Sequence, residues 1–262
     1  MTVRPRPAGP VVALTVLRLV RVAPRITRVV AGGSGLAQFR PSRFTDAYVR
    51  LIFPDRNARW PRRRTYTVRY LDLVAGEIAV DLVDHGRGGL AESWLATLQP
   101  GDPVLIQDVR GLYRPDADAG WHLLAGDEVA LPAIARALES MSPGMRAKVL
   151  IEVADAADEL PLRTEADVEL RWIHRSRGDN LVQAVQDLAF DAGTVQAFVH
   201  GEGGAMHRLR RHLLRERGID RDLLSVSGYW REGLSDEQWR AQKTTYFPTT
   251  PAAVPRAERS ER

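Results

Sequence analysis

Arg64, Tyr66 and Thr67, spaced as Arg-x-Tyr-Thr, bring a guanidinium, a phenol ring and a hydroxyl together within four residues. A guanidinium binds phosphate through paired N–H groups, an aromatic ring packs on a flat heterocycle, and a hydroxyl reaches a ring nitrogen. Together they suit a phosphorylated planar cofactor such as a flavin. They lie in Arg-Arg-Arg-Thr-Tyr-Thr-Val-Arg-Tyr (62–70), whose second half alternates, with Thr65, Thr67 and Arg69 on one side and Tyr66, Val68 and Tyr70 on the other. That period is a strand's. The same four-residue pattern also fits an amphipathic strand with a solvated arginine run.

A second candidate for phosphate is His85-Gly86-Arg87-Gly88-Gly89, which runs into a short helix expected over 90–98. Backbone N–H groups at such a junction point toward an anion, although an ordinary loop can read the same way. Other chemistry finds little footing. His207 and His212 are five apart, and no His-x-x-x-His pair builds a zinc site. Ser34 sits in Gly-Gly-Ser-Gly without a nucleophile elbow. Arg62–Arg64 beside Trp60 is one short basic cluster without a nucleic-acid module, so no nucleic-acid partner is expected.

These residues must be positioned by folded elements. The chain has 262 residues, 44% of them hydrophobic, enough for one large or two ordinary domains. With no cysteine, disulfides, thiolate metal sites and cysteine nucleophiles are excluded, so redox chemistry requires an organic cofactor or a metal on other ligands. The net charge of +4 is carried almost wholly by arginine, with Lys148 and Lys243 the two lysines. Val11–Val20 reaches Arg18 too soon to span a membrane and no cleavage site follows it, so a strand in a cytoplasmic protein is expected.

Up to Asp108, short apolar runs at 25–30, 47–53, 65–70, 77–83 and 103–107 alternate with Gly, Pro and Asp punctuation, which predicts a small antiparallel barrel. After Trp121, runs of strand length at 122–125, 147–153, 168–173, 194–201 and 225–229 are interleaved with helical segments at 132–141, 181–188 and 205–217. Strand and helix in alternation predict a parallel sheet covered on both faces. Its ligands should sit beyond the carboxyl ends of the strands, where Gly126-Asp127-Glu128 and Gly201-Glu202-Gly203-Gly204 fall; neither is a Gly-x-Gly-x-x-Gly fingerprint. A capping box over 235–238 opens a last short helix. The expected domains are a barrel over 1–117, an α/β domain over 118–243 and a disordered tail over 244–262.

A phosphate-clamping antiparallel barrel followed by a parallel α/β domain is the layout of the ferredoxin–NADP reductase superfamily. In detail the chain resembles its siderophore-interacting protein branch. The resemblance rests on Arg-Arg-Thr-Tyr-Thr-Val-Arg (63–69), Val-Asp-Leu-Val-Asp-His-Gly (80–86), Leu-Ala-Gly-Asp-Glu-Val-Ala-Leu-Pro-Ala-Ile (124–134), Gly-Glu (201–202) and Gly-Tyr-Trp-Arg-Glu-Gly (228–233), from about Leu14 to Lys243. It implies an N-terminal FAD-binding barrel, with Arg64, Thr65, Tyr66, Thr67 and Val68 at the flavin and Arg69 near its diphosphate and adenine half. Asp81, Val83, His85, Gly88, Gly89, Glu92 and Ser93 would lie toward its diphosphate and adenine. It further implies an NAD(P)H-binding-like second domain in which Asp127 and Glu202 stand at the catalytic cleft, with Gly126 and Glu128 facing the nicotinamide.

Three departures from the family pattern stand out. Glu92 replaces a phosphate-binding serine, a repulsive placement unless Arg87 or Ser93 compensates. Asp108 opens Asp-Val-Arg-Gly (108–111) where the family has Gly-Pro-Arg-Gly, and Val129 replaces a threonine.

The activity implied is reduction of ferric siderophores, with FAD as cofactor, NAD(P)H as electron donor and no iron ligands from the protein itself. Arg231 and Lys243 are the cations expected to gather an anionic chelate. Two other readings stay open: a flavoprotein repurposed for an organic substrate, and a binding protein without turnover.

Overall fold

The computed structural model describes residues 10–53, 61–84, 86 and 88–247. His85, Arg87 and the tail from 248 onward lie outside the described residues. The chain divides into two compact units, one formed by Met1–Arg43 with Ala47–Gly111, the other by Phe44–Asp46 with Leu112–Arg262.

The first unit is a closed six-stranded antiparallel barrel with strand order β1-β2-β5-β4-β3-β6. Its strands are β1 (Val11–Ala23), β2 (Ile26–Gly32), β3 (Tyr48–Phe53), β4 (Arg62–Asp72), β5 (Glu77–Val83) and β6 (Pro103–Arg110). Closure removes free strand edges. Inward alternation along β1 buries Val12, Leu14 and Val16 beside Val29, Val49, Leu51, Val80 and Ile106. Helix α1 (Leu90–Leu95) lies on the barrel with Trp94 edge-on to Phe53 at 5.2 Å between ring centroids.

The expected alternation of β4 breaks at one point. Val68 pairs with Val80 and Tyr70 with Ala79, so Arg69 is the extra residue of a bulge. A bulge exchanges the faces beyond it. Tyr66, Val68 and then Leu71 pack on the core, while the Tyr70 hydroxyl turns to Arg18 at 3.1 Å and Glu77 at 3.2 Å. Tyr70 therefore leaves the side it was expected to share with Tyr66.

The second unit is a five-stranded sheet of order β11-β10-β7-β8-β9, parallel throughout. Its strands are β7 (Trp121–Asp127), β8 (Arg146–Val153), β9 (Asp167–His174), β10 (Val195–Glu202) and β11 (Leu224–Trp230). Its helices are α2 (Leu131–Ser140), α3 (Leu181–Gln186), α4 (Gly203–Arg215) and α5 (Asp236–Tyr246). Strand β7 is buried along its whole length because both faces are covered, by α2 on one side and by α3 with α4 on the other. Helix α5 is capped by Ser235 and Gln238 and runs to Tyr246, past the 243 boundary set for the tail. No helix among the described residues is long and apolar enough to cross a membrane.

Candidate functional site

In the barrel, the residues expected to hold the cofactor lie along β4. Thr67 and Val68 are buried, Arg64 and Tyr66 half-buried, and Thr65 exposed. The Arg64 guanidinium donates to the Arg63 carbonyl at 3.1 Å, and Arg69 projects from the bulge. The neighbouring Arg63 holds a feature absent from the sequence reading: its Nε is buried and meets no acceptor among the described residues. A buried donor without an acceptor is costly, and an anionic oxygen would satisfy it.

The remaining barrel candidates are bound up with the chain itself. Asp81 is held by Arg28, directly opposite on β2, through Nε at 2.6 Å and Nη2 at 2.9 Å. Its charge is thereby offset by the guanidinium. Val83 ends β5 opposite Ile26. Glu92 turns back to accept the Gly89 N–H at 2.9 Å, and exposed Ser93 donates its backbone N–H to the Gly89 carbonyl at 2.9 Å. Around them the backbone is bare: at Gly86, Gly88 and Gly89 a Cβ would meet no described atom within 4 Å. The open glycine backbone after β5 and the buried guanidinium N–H of Arg63 on β4 are donors whose chemistry fits a flavin dinucleotide's phosphates.

In the α/β unit the chain turns from β7 toward β8 and β9 on one side and toward β10 and β11 on the other. The switch point of this sheet is thus the crevice between the ends of β7 and β10. Asp127 ends β7, fully enclosed, with Oδ2 accepting from Trp230 Nε1 at 2.7 Å and Oδ1 from the Val129 N–H at 3.0 Å. Burial, then the neighbouring Glu128 charge, pushes its pKa up to about 7 against these two hydrogen bonds. Gly201 leaves room for this carboxylate: a Cβ there would lie 2.7 Å from Asp127 Oδ2, at a backbone φ of +154°. Glu128 is turned away into an ion pair with Arg175, which also reaches Glu152 at 3.2 Å.

At the end of β10, Glu202 accepts the Ala205 N–H at 2.7 Å and the Arg231 guanidinium at 2.6 Å. Burial alone would raise its pKa; Arg231 and two backbone N–H groups outweigh that and hold it below the usual range. The glycines opening α4 are covered from within. A Cβ on Gly203 would strike the Trp239 ring at 2.6 Å, and one on Gly204 would strike the Arg231 guanidinium. Both cations expected to gather a chelate are half-buried and bonded within the chain. Arg231 is paired with Glu202. Lys243 is half-buried with Nζ donating to Ser227 Oγ at 2.9 Å, and burial followed by the Arg240 charge lowers its pKa. Nearby, His200 stacks on Phe198, bonds Ser225 Oγ at 2.9 Å and is held neutral by burial.

Comparison with known proteins decides the family. The profile of the siderophore-interacting FAD-binding domain matches residues 15–62 and 56–112, and that of the siderophore-interacting protein matches 119–233. An uncharacterized protein of Mycobacterium tuberculosis is 41% identical over 89% of this chain and 95% of its own length. The crystal structure of a siderophore utilization protein from T. fusca is 34% identical, with a TM-score of 0.77 over 90% of this chain and 97% of that one. This chain belongs to the siderophore-interacting protein family. The NADPH-dependent ferric-chelate reductase of Escherichia coli is 29% identical over 83% of this chain and 91% of its own.

Within this siderophore-interacting protein, Arg28, Arg63, Arg175, Trp230 and Trp239 complete the arrangement and were not singled out as site residues. Trp230 stood inside the quoted Gly-Tyr-Trp-Arg-Glu-Gly run, so a signal existed for it. Arg28 and Arg175 had none, because an arginine in a basic chain does not announce which carboxylate it will meet.

Proposed function

We propose that this protein is an FAD-dependent reductase of ferric siderophores. The observation that carries the reading is the acceptor-less buried Nε of Arg63 on β4, beside the Arg64-Thr65-Tyr66-Thr67 run, together with the bare glycine backbone after β5. Arg63 and Arg64 would hold phosphate, Tyr66 and Thr67 would meet the ring system, and the Gly88–Gly89 backbone would meet the diphosphate. Asp81, clamped by Arg28, and Val83 would line the adenine half, with Ser93 beside it. Bound flavin supplies the conversion of a two-electron donor to single electrons for iron. Hard oxygen donors bind Fe(III) far more tightly than the less charged Fe(II), so reduction loosens the chelate and the protein needs no iron ligands.

The donor is proposed to be NAD(P)H, entering at the carboxyl ends of β7 and β10. There Asp127, with a pKa near 7, can hold or release a proton, while Trp230 fixes the carboxyl orientation. One N–H of the first turn of α4, that of Ala205, is already taken by Glu202, so the dinucleotide phosphates are expected nearer the β7–α2 turn. Arg231 and Lys243 are proposed to meet the anionic chelate, Arg231 by exchanging Glu202 for it.

Purification followed by anaerobic mixing with NADH or NADPH tests the cofactor and the donor. Flavin absorbance that bleaches supports both. Retained colour without bleaching leaves the flavin and removes the nicotinamide, and a colourless protein that FAD cannot reconstitute removes the reading.

A further inference from the structure

Helix α4 starts beyond the end of β10 and runs back along the sheet, so its last turn and the segment leading into β11 lie at the opposite end from the Asp127–Glu202 crevice. Along its outer side is a groove of about 480 Å³, floored by Leu214 and Ile219 and rimmed by Arg211, Arg215 and Arg221, with Arg210 and His207 at its edge. We propose that this groove binds a small organic polyanion, a compact molecule with at least two phosphate or carboxylate groups on an apolar body.

Three observations carry this. First, positive charge is in excess: Arg211, Arg215 and Arg221 have no ion-pair partner among the described residues. Of the nearby acids, Glu216 bonds His212 at 2.7 Å, and the lining Asp220, one oxygen of which accepts the Asp222 N–H at 3.1 Å, is a single carboxylate against these guanidinium groups. Second, His207, Arg211 and Arg215 follow one another at four-residue spacing, so they form one file with about 6 Å between successive members. Arg211 and Arg215, like charges in that register, repel and destabilise the helix, and a polyanion lying along the file reverses the sign of that interaction. The favourable end of the helix dipole accounts for Arg215 in the last turn, but not for Arg211 a turn earlier or Arg221 beyond the helix.

Third, the volume falls within the roughly 300–1,000 Å³ of small-molecule sites, and the apolar floor distinguishes it from a merely solvated basic face. Guanidinium groups pair equally well with phosphate and carboxylate, so the chemistry is shared by nucleotides, pyrophosphate and tricarboxylates.

The experiment uses the flavin-loaded protein, so that the flavin site is filled, and calorimetric titration with pyrophosphate, ATP and citrate separately at about 50 mM salt. Saturable one-to-one binding of at least one probe is expected, with a dissociation constant below about 1 mM. It should weaken at least tenfold in Arg211→Ala/Arg215→Ala and, independently, in Arg221→Gln, with the flavin spectrum and melting temperature retained. Preference for ATP or pyrophosphate assigns a phosphate ligand, and preference for citrate a carboxylate one. No saturable binding of any probe, or binding equal in parent and variants, overturns the proposal.

Discussion

Trp230 and Asp127, 103 positions apart, are joined by a hydrogen bond of 2.7 Å from indole Nε1 to carboxylate Oδ2. The bond reaches from the end of β11 to the end of β7, across the intervening β10, and passes over Gly201 where a methyl group would obstruct it. An acid so enclosed is favoured in its neutral form, and the indole and the Val129 N–H moderate that preference without removing it.

The pH dependence of stability follows from this acid. Its pKa rises from 3.8 unfolded to about 7 folded. Between those values the native state holds a proton that the unfolded state has lost. The contribution to stability is therefore full below the unfolded pKa, is lost as pH rises toward 7, and is flat above. From pH 5 to pH 8 the loss should be about 2–3 kcal/mol, and Asp127→Asn should lack it. Denaturant titrations of both proteins at the two pH values supply the double difference; equal pH dependence would show that Asp127 ionises normally.

Removing the indole N–H isolates the hydrogen bond. Trp230→Phe keeps an aromatic ring, though a smaller one than the indole, and deprives Oδ2 of its donor, which should cost about 1–3 kcal/mol and raise the Asp127 pKa further. Gly201→Ala should cost about as much by crowding the same carboxylate. Melting curves measure both, and parent-like stability of the phenylalanine variant would mean the bond contributes nothing.

Arg63 gives a prediction of opposite signs. Because its Nε lacks an acceptor, Arg63→Met should leave the flavin-free protein as stable as the parent or more so. It should weaken FAD by about ten- to a hundredfold, the value of a charge-assisted hydrogen bond. Arg64→Ala should weaken FAD similarly. Equal flavin content in parent and variants would remove these arginines from the phosphate site.

Glu92 separates charge from capping. Glu92→Gln retains an acceptor for the Gly89 N–H but removes the negative charge. FAD should then bind more tightly, by a margin that shrinks as salt is added. Unchanged affinity would place the Glu92 charge away from the diphosphate.

Much of this architecture was legible in the chain. Short punctuated runs such as 77–83 became barrel strands, and the interleaved runs after Trp121 became the parallel sheet, because burial on both faces demands continuous apolar segments. The side of Tyr70 was misjudged because a bulge depends on register with the partner strand, which a two-residue period cannot reveal. The pairing of Arg231 with Glu202 and of Lys243 with Ser227 was hidden for a similar reason: charge is written in sequence, its partner is set by packing. Glu92 stood out as a departure, yet its role as acceptor for Gly89 depends on where the helix starts.

The central claim is electron transfer to ferric chelate, and stopped-flow reoxidation of photoreduced protein by a ferric catecholate or carboxylate siderophore, under anaerobic conditions, tests it without any nicotinamide step. The account predicts rapid reoxidation with capture of Fe(II) by a ferrous chelator. It also predicts weaker apparent chelate affinity in Arg231→Gln and Lys243→Gln and in the parent as salt rises, since such attraction is screened beyond about 8 Å at physiological ionic strength. Flavin that stays reduced in the presence of every ferric chelate would contradict the account and leave a repurposed flavoprotein in its place.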